Sequence, residues 1–296
     1  MAELLVPFQY DFMIKAMWVS SLVGAVCGFL SCYLMLKGWS LMGDALAHAI
    51  VPGVAVAYLF KLPYAVGAFF AGLLAALGMA FIRQQSKLNV DAVIGLVFTT
   101  FFAAGMLLVS LYPAAINVQT IVLGNILAIS DWDALQVVII TAVSLAVLLL
   151  IWRDLIAVFF DEDHAASVGL PVTRLKVIFF TLLSACTVAA LQTVGALLVI
   201  AMVVTPGATA YLLVDRFERL ILIAVGLGAG TSFVGAYISY FLDGATGGVI
   251  VTLQTLIFLA AFIFAPKHGL LARRRAIKTT VLADGRDASA SPAASP

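Results

Sequence analysis

Charge is what this chain has least of. Only 10% of its 296 residues are Asp, Glu, Lys or Arg, where a soluble globular domain carries about a quarter, so a water-facing surface over the whole molecule is excluded. The net charge of +1 supplies no basic face, and nothing in the composition points to nucleic acid. The three cysteines, Cys27, Cys32 and Cys186, all lie inside apolar runs. They form neither a C-x-x-C pair nor a disulfide framework and read as small packing residues. No G-x-x-x-x-G-K-[ST] loop occurs, so the chain lacks the usual means of binding and hydrolysing ATP; no H-E-x-x-H occurs either, which argues against an intramembrane metalloprotease. The first apolar run has no basic leader and no small-residue cleavage site, and is expected to be a retained span.

What is present is hydrocarbon, 64% of the residues, arranged in repeated runs of about 20, enough at about 1.5 Å per residue to cross a core about 30 Å thick. Backbone groups in lipid must be satisfied within the segment, and the runs lack the alternation of barrel strands. The fold class is therefore an all-α polytopic membrane protein with about eight to nine transmembrane helices in a lipid bilayer. Residues 1–11 form an N-terminal segment, 12–266 the transmembrane domain, and 267–296 a basic and then disordered tail. The expected spans are 12–36, 38–60, 63–82, 90–112, 134–152, 175–190, 194–213, 220–242 and 249–265. The connection 113–133 suits an interfacial or re-entrant helix, 153–173 is a polar loop, and 191–193 is the turn of a tight hairpin. Gly24 and Gly28 in the first span and Gly226 and Gly230 near the end have the spacing that lets helices approach closely. Pro52 and Pro206 are expected to bend or break their helices. Lys and Arg cluster near 37, 83–87, 153–176, 216–219 and 267–278, which places those loops and the C-terminus in the cytoplasm. Lys15 and Lys61 fit this assignment badly.

Two stretches stand out against the hydrocarbon. In the second segment Asp44 and His48 are four residues apart, which on a helix stacks a carboxylate and an imidazole on one face. Ionisable groups at that depth are costly, and a metal or proton site is the default reading. The plain alternative is that Asp44 caps the helix and His48 bonds a nearby carbonyl. Asp oxygen with His nitrogen is a borderline donor set for Mn²⁺, Fe²⁺ or Zn²⁺. Two donors are too few, so main-chain carbonyls at Pro52 or Pro206, or Gln192, Thr205 or Gln254, are candidates to complete it.

The second stretch runs from Asp161 to Pro171. Asp161 can cap a helix whose first turn holds Glu162 and Asp163, and Gly169 with Pro171 stops it, giving about two turns that suit a docking knob. His164 among these carboxylates suggests a soluble metal site as an alternative, but one imidazole with adjacent carboxylates on a solvated loop is more often just a charged helix.

At these stretches the chain resembles the permease subunits of bacterial ABC importers for manganese, zinc and chelated iron. The likeness runs through Leu36 to His48, Leu123 to Ala128, Asp161 to Pro171, Leu191 to Val199, Val204 to Ala210 and Asp243 to Gly248. It implies a plasma-membrane permease that works as a homodimer with two cytoplasmic ATP-binding subunits and an extracytoplasmic metal-binding protein. It also implies a subunit with no permanently bound cofactor and with ATP hydrolysis left to its partners, so that the chain itself is expected not to be an enzyme. The resemblance also implies that Asp44 and His48 bind the transported Mn²⁺ or Fe²⁺, and that the helix containing Asp161, Glu162, Asp163, His164, Ala165, Ser167 and Gly169 couples to the ATPase. A Zn²⁺ importer and a proton-coupled secondary metal transporter are the alternatives.

Overall fold

Long apolar runs give long helices, and no strand occurs among the described residues. The computed structural model describes residues 3–112, 126, 129–195 and 198–265. Most of the 113–133 connection and the whole 267–296 tail, whose character was expected from composition, lie outside them. After a short 3-10 turn at Glu3–Gln9, the helices are α1 (Asp11–Lys37), α2 (Met42–Ala49), α3 (Val51–Leu59), α4 (Tyr64–Gln85), α5 (Val90–Leu111) and α6 (Asp131–Phe160). There follow α7 (Glu162–Ser167), α8 (Val172–Val194), α9 (Val199–Leu213), α10 (Phe217–Leu242) and α11 (Thr246–Phe264). Counting α2 and α3 as one span, eight are long and apolar enough to cross a membrane, and α9 is a shorter apolar helix.

α1 stands at the centre, apolar all round and buried along most of its length, against α6, α8, α9 and α10. Its tightest seam is with α10: a Cβ on Gly24 would lie 2.2 Å from the Gly228 carbonyl oxygen, and one on Gly28 2.4 Å from that of Ala224. The expected close approach of Gly24 and Gly28 is therefore real. Its partner is Gly228, while a Cβ on Gly226 or Gly230 would meet nothing within 4 Å among the described residues, because those positions point away from the seam on α10. The outer helices leave large apolar side chains uncovered, Leu150 at 82% and Leu222 at 76% among them, as a lipid-facing surface requires.

Three expected boundaries move. The second segment breaks at Ile50, two residues before Pro52. Proline fits the first turn of a new helix, where no N–H is needed, and cannot give one to the His48 carbonyl four residues back. α3 is then clamped: Gly53 meets Gly67 of α4, and Pro52 meets Gly105 of α5. Second, α6 runs eight residues past Trp152, so the polar loop is shorter than 153–173. Arg153 and Asp154 stay exposed while Leu155, Val158 and Phe159 continue the buried stripe. Third, α8 extends through Val194, and the turn to α9 falls at Gly195, whose φ of 85° ends the helix.

α9 passes through Pro206 as one continuous helix and is not broken there. Ser31 of α1 is inserted into its ladder: the hydroxyl donates to the Val204 carbonyl and accepts from the Gly207 N–H, both at 2.9 Å. The backbone groups disturbed by the proline are thus served by a neighbouring helix.

The basic ends gather as the loop charges predict. Lys37, Arg83, Glu162 and Lys176 meet at one end of the bundle. Lys15 lies at the opposite end, paired with Asp131, which accounts for its awkward position.

Candidate metal site and coupling helix

α1 ends on Gly38, in the left-handed region at φ 69°. Its N–H bonds the Met35 carbonyl and the Trp39 N–H bonds that of Leu34, the paired arrangement that stops a helix on glycine. The chain reverses within four residues and α2 begins at Met42. Asp44 therefore occupies the first turn of α2, where the helix dipole favours a negative charge, and His48 the last.

The two side chains meet. His48 Nδ1 lies 3.3 Å from Asp44 Oδ1 and 3.0 Å from the Asp44 main-chain carbonyl oxygen. A carbonyl oxygen can only accept, so this contact calls for the proton on Nδ1 and leaves the Nε2 lone pair free. A metal-ligating histidine needs that tautomer, with its other ring nitrogen anchored. The ring is held from α5 by Phe98, edge-on at 5.4 Å, and Phe102 at 5.8 Å. The site is open on its other side: the His48 side chain is 23% exposed and that of Asp44 40%. On the back of α2, a Cβ at Gly43 would come within 3.2 Å of Val203 of α9, so the site helix lies directly on the helix that carries Pro206.

No group of three or more His, Cys, Asp or Glu side chains forms a metal cluster among the described residues. Asp44 and His48 are thus a pair, as the spacing predicts, and an incomplete one. Of the other proposed donors, Thr205 and Gln254 line a cavity whose walls include neither Asp44 nor His48. Gln254 is buried on α11 and donates from Nε2 to Thr231 Oγ1 at 3.1 Å; its Oε1 has no hydrogen-bond partner among the described residues. With Thr205, Pro206, Thr209 and Thr231 it lines a small cavity of its own. Gln192 Oε1 is likewise buried without a partner among the described residues. Phe98 and Phe102 were missed because aromatic residues in an apolar run carry no signal of what they touch.

The short helix α7 forms as its residues predict. Asp161 Oδ1 accepts from the N–H groups of Asp163 and His164, both at 3.0 Å, and Gly169 turns the chain at φ +88°. Ala165 is buried and seats the helix, while Asp163, His164, Ser167 and Val168 face outward. Glu162 differs from its neighbours, since it turns inward to Lys37 and Lys176. Neither lysine was legible as a partner, since Lys37 is 125 residues away. Among the described residues no group of three or more His, Cys, Asp or Glu side chains gathers around His164.

Comparison with known proteins shows the family. Residues 9–265 match the family described as "ABC 3 transport family". The chain is 69% identical over 275 residues to the chelated iron transport system membrane protein YfeC of Yersinia pestis, covering 93% of this chain and 94% of that one. It is 47% identical over 270 residues to the manganese transport system membrane protein MntB of Synechocystis, covering 90% and 87% respectively. Among solved structures it resembles PsaBC from Streptococcus pneumoniae in complex with Fab, with a TM-score of 0.81 and 34% identity over 92% of this chain and 99% of that one.

Proposed function

The chain belongs to the ABC 3 transport family, and we propose that it is the membrane subunit of an ATP-driven importer that carries Mn²⁺ and Fe²⁺ across the bacterial inner membrane. The names of its relatives, manganese and chelated iron transport system membrane proteins, support that choice of cargo. The observation that carries the reading is the Asp44–His48 pair, with one carboxylate and one free imidazole nitrogen on an open face of α2.

One pair cannot hold an ion, but two can. In a homodimer with α2 of each copy facing the common axis, two carboxylates and two imidazoles converge, a donor set suited to a borderline divalent ion. Such a site is sparse enough to release what it binds, as a path requires. ATP hydrolysis is assigned to two cytoplasmic subunits that grip the outward face of α7. An extracytoplasmic binding protein delivers the ion, and the permease alternates between outward and inward access.

The test is uptake of radiolabelled Mn²⁺ by proteoliposomes that hold the whole complex with its binding protein. Asp44→Ala and His48→Ala should each reduce uptake by more than the roughly 10- to 100-fold that even the supporting partners of metal ligands cost, while ATP is still hydrolysed. Full uptake in both variants would remove the site. Competition among Mn²⁺, Fe²⁺ and Zn²⁺ in the same vesicles decides the cargo, since imidazole suits Zn²⁺ equally well.

A further inference from the structure

Glu162 sits on the helix that meets the ATPase in the reading above, yet its carboxylate faces the membrane domain. Oε1 accepts from Lys37 Nζ at 3.3 Å and Oε2 from Lys176 Nζ at 2.5 Å. The lysine side chains are largely buried, at 17% and 15% exposed, and that of Glu162 is one-third exposed. Three elements, α7, the end of α1 and the start of α8, are thus tied through one carboxylate. Burial raises the Glu162 carboxyl, but Lys176 and Lys37 together outweigh it and hold the group below its usual range.

Beyond Lys37 a series of contacts leads toward the metal pair. Gly38 and Trp39 are hydrogen-bonded back onto α1. The Trp39 indole is buried, 5.6 Å from the Phe159 ring of α6, stacked on Phe180 of α8 at 5.8 Å, and covered by the Arg83 guanidinium of α4 at 4.9 Å. Met42 then opens α2 with an N–H bond to the Trp39 carbonyl, and Asp44 follows two residues later.

We propose that Glu162 is the residue through which displacement of α7 reaches the segment that carries Asp44 and His48. It is a positioning residue, distinct from the outward face that docks the ATPase. The proposal rests on the importer reading. A pull on α7 acts on Lys37 through the ion pair, and the Gly38 turn with its aromatic lock passes it to α2. The single-residue break at Ile50 lets α2 move apart from the clamped α3.

The experiment measures Mn²⁺ transported and ATP hydrolysed in the same proteoliposomes of the complete complex. Glu162→Gln and Lys37→Met should each co-purify with the ATPase subunits and hydrolyse ATP, while Mn²⁺ carried per ATP falls about fivefold or more, the lower range of coupling between linked sites. The double variant should be no worse than the poorer single one, because both remove the same link. Lys37→Met leaves the Lys176 pair in place and so guards against misfolding of the glutamate variant. An unchanged ratio in both single variants, additive losses in the double, or loss of co-purification would each overturn the proposal. A wild-type complex that hydrolyses ATP but moves no Mn²⁺ would instead defeat the importer reading.

Discussion

The two ends of the stretch from Lys37 to His48 are built on opposite terms. At Lys37 the surroundings are crowded with contacts: two ammonium groups share one carboxylate, and Trp39 is enclosed by aromatic rings and a guanidinium, although its buried Nε1 finds no hydrogen-bond partner among the described residues. At Asp44 and His48 the polar surroundings are sparse: His48 Nδ1 lies against Asp44 Oδ1 and the Asp44 carbonyl oxygen, and no third His, Cys, Asp or Glu side chain joins them among the described residues. A region that transmits force gains from contacts that hold one arrangement. A site that passes an ion onward must stay under-coordinated, or it would retain the ion.

Truncation should separate the two regions most clearly. Trp39→Ala removes a buried indole from between three helices and should lower stability by about 3–5 kcal/mol, read as thermal unfolding in detergent. His48→Ala, partly exposed and touching two phenylalanines, should cost only about 1 kcal/mol in the same assay while abolishing uptake. Comparable losses of stability would erase the distinction.

Acid should divide them next. Histidine ligates only as the neutral ring, so protons compete with the metal. Lowering the pH from about 7.5 to about 5.5 should therefore raise the apparent KM for Mn²⁺, with the partner proteins held constant. The Glu162 tether should not notice that change. Its folded pKa is lowered, so its contribution is complete above the ordinary glutamate range, about 4.3, and is lost only as pH falls through the still lower folded value. The stability difference between wild type and Glu162→Gln should therefore stay constant across the same window, measured by thermal unfolding at each pH.

The smallest effect concerns the setting of the imidazole. Phe98→Ala removes one ring from His48 and no ligand, so KM should rise a few-fold, in line with the roughly 0.5–1.5 kcal/mol of an aromatic contact, with kcat unchanged. A loss as large as that of His48→Ala would mean that Phe98 holds the whole site in shape.

Much of the fold was legible because a bilayer reads length and hydropathy directly. The spans fell within a few residues of the observed helices, apart from the end of α6 and the turn before α9. Exposed Arg153 and Asp154 resembled a loop, when in fact they lie on the outer face of a helix that the buried Leu155 and Phe159 carry onward. Pro206 resembled a break, but Ser31 repairs it from another helix. The pair at Asp44 and His48 and the cap at Asp161 were legible because they involve spacings of two to four residues, which helix geometry sets without help from the rest of the chain.

By itself, then, the sequence determined which segments cross the membrane, that Asp44 faces His48, and that a short capped helix follows Asp161. Each follows from local periodicity or from the cost of polar groups in hydrocarbon. Only the tertiary structure decided that Glu162 turns inward to Lys37, that Gly24 seats against Gly228, and that the α2–α3 break lies at Ile50. Those outcomes depend on which helices pack side by side, and residues 125 apart leave no mark of one another in a linear sequence.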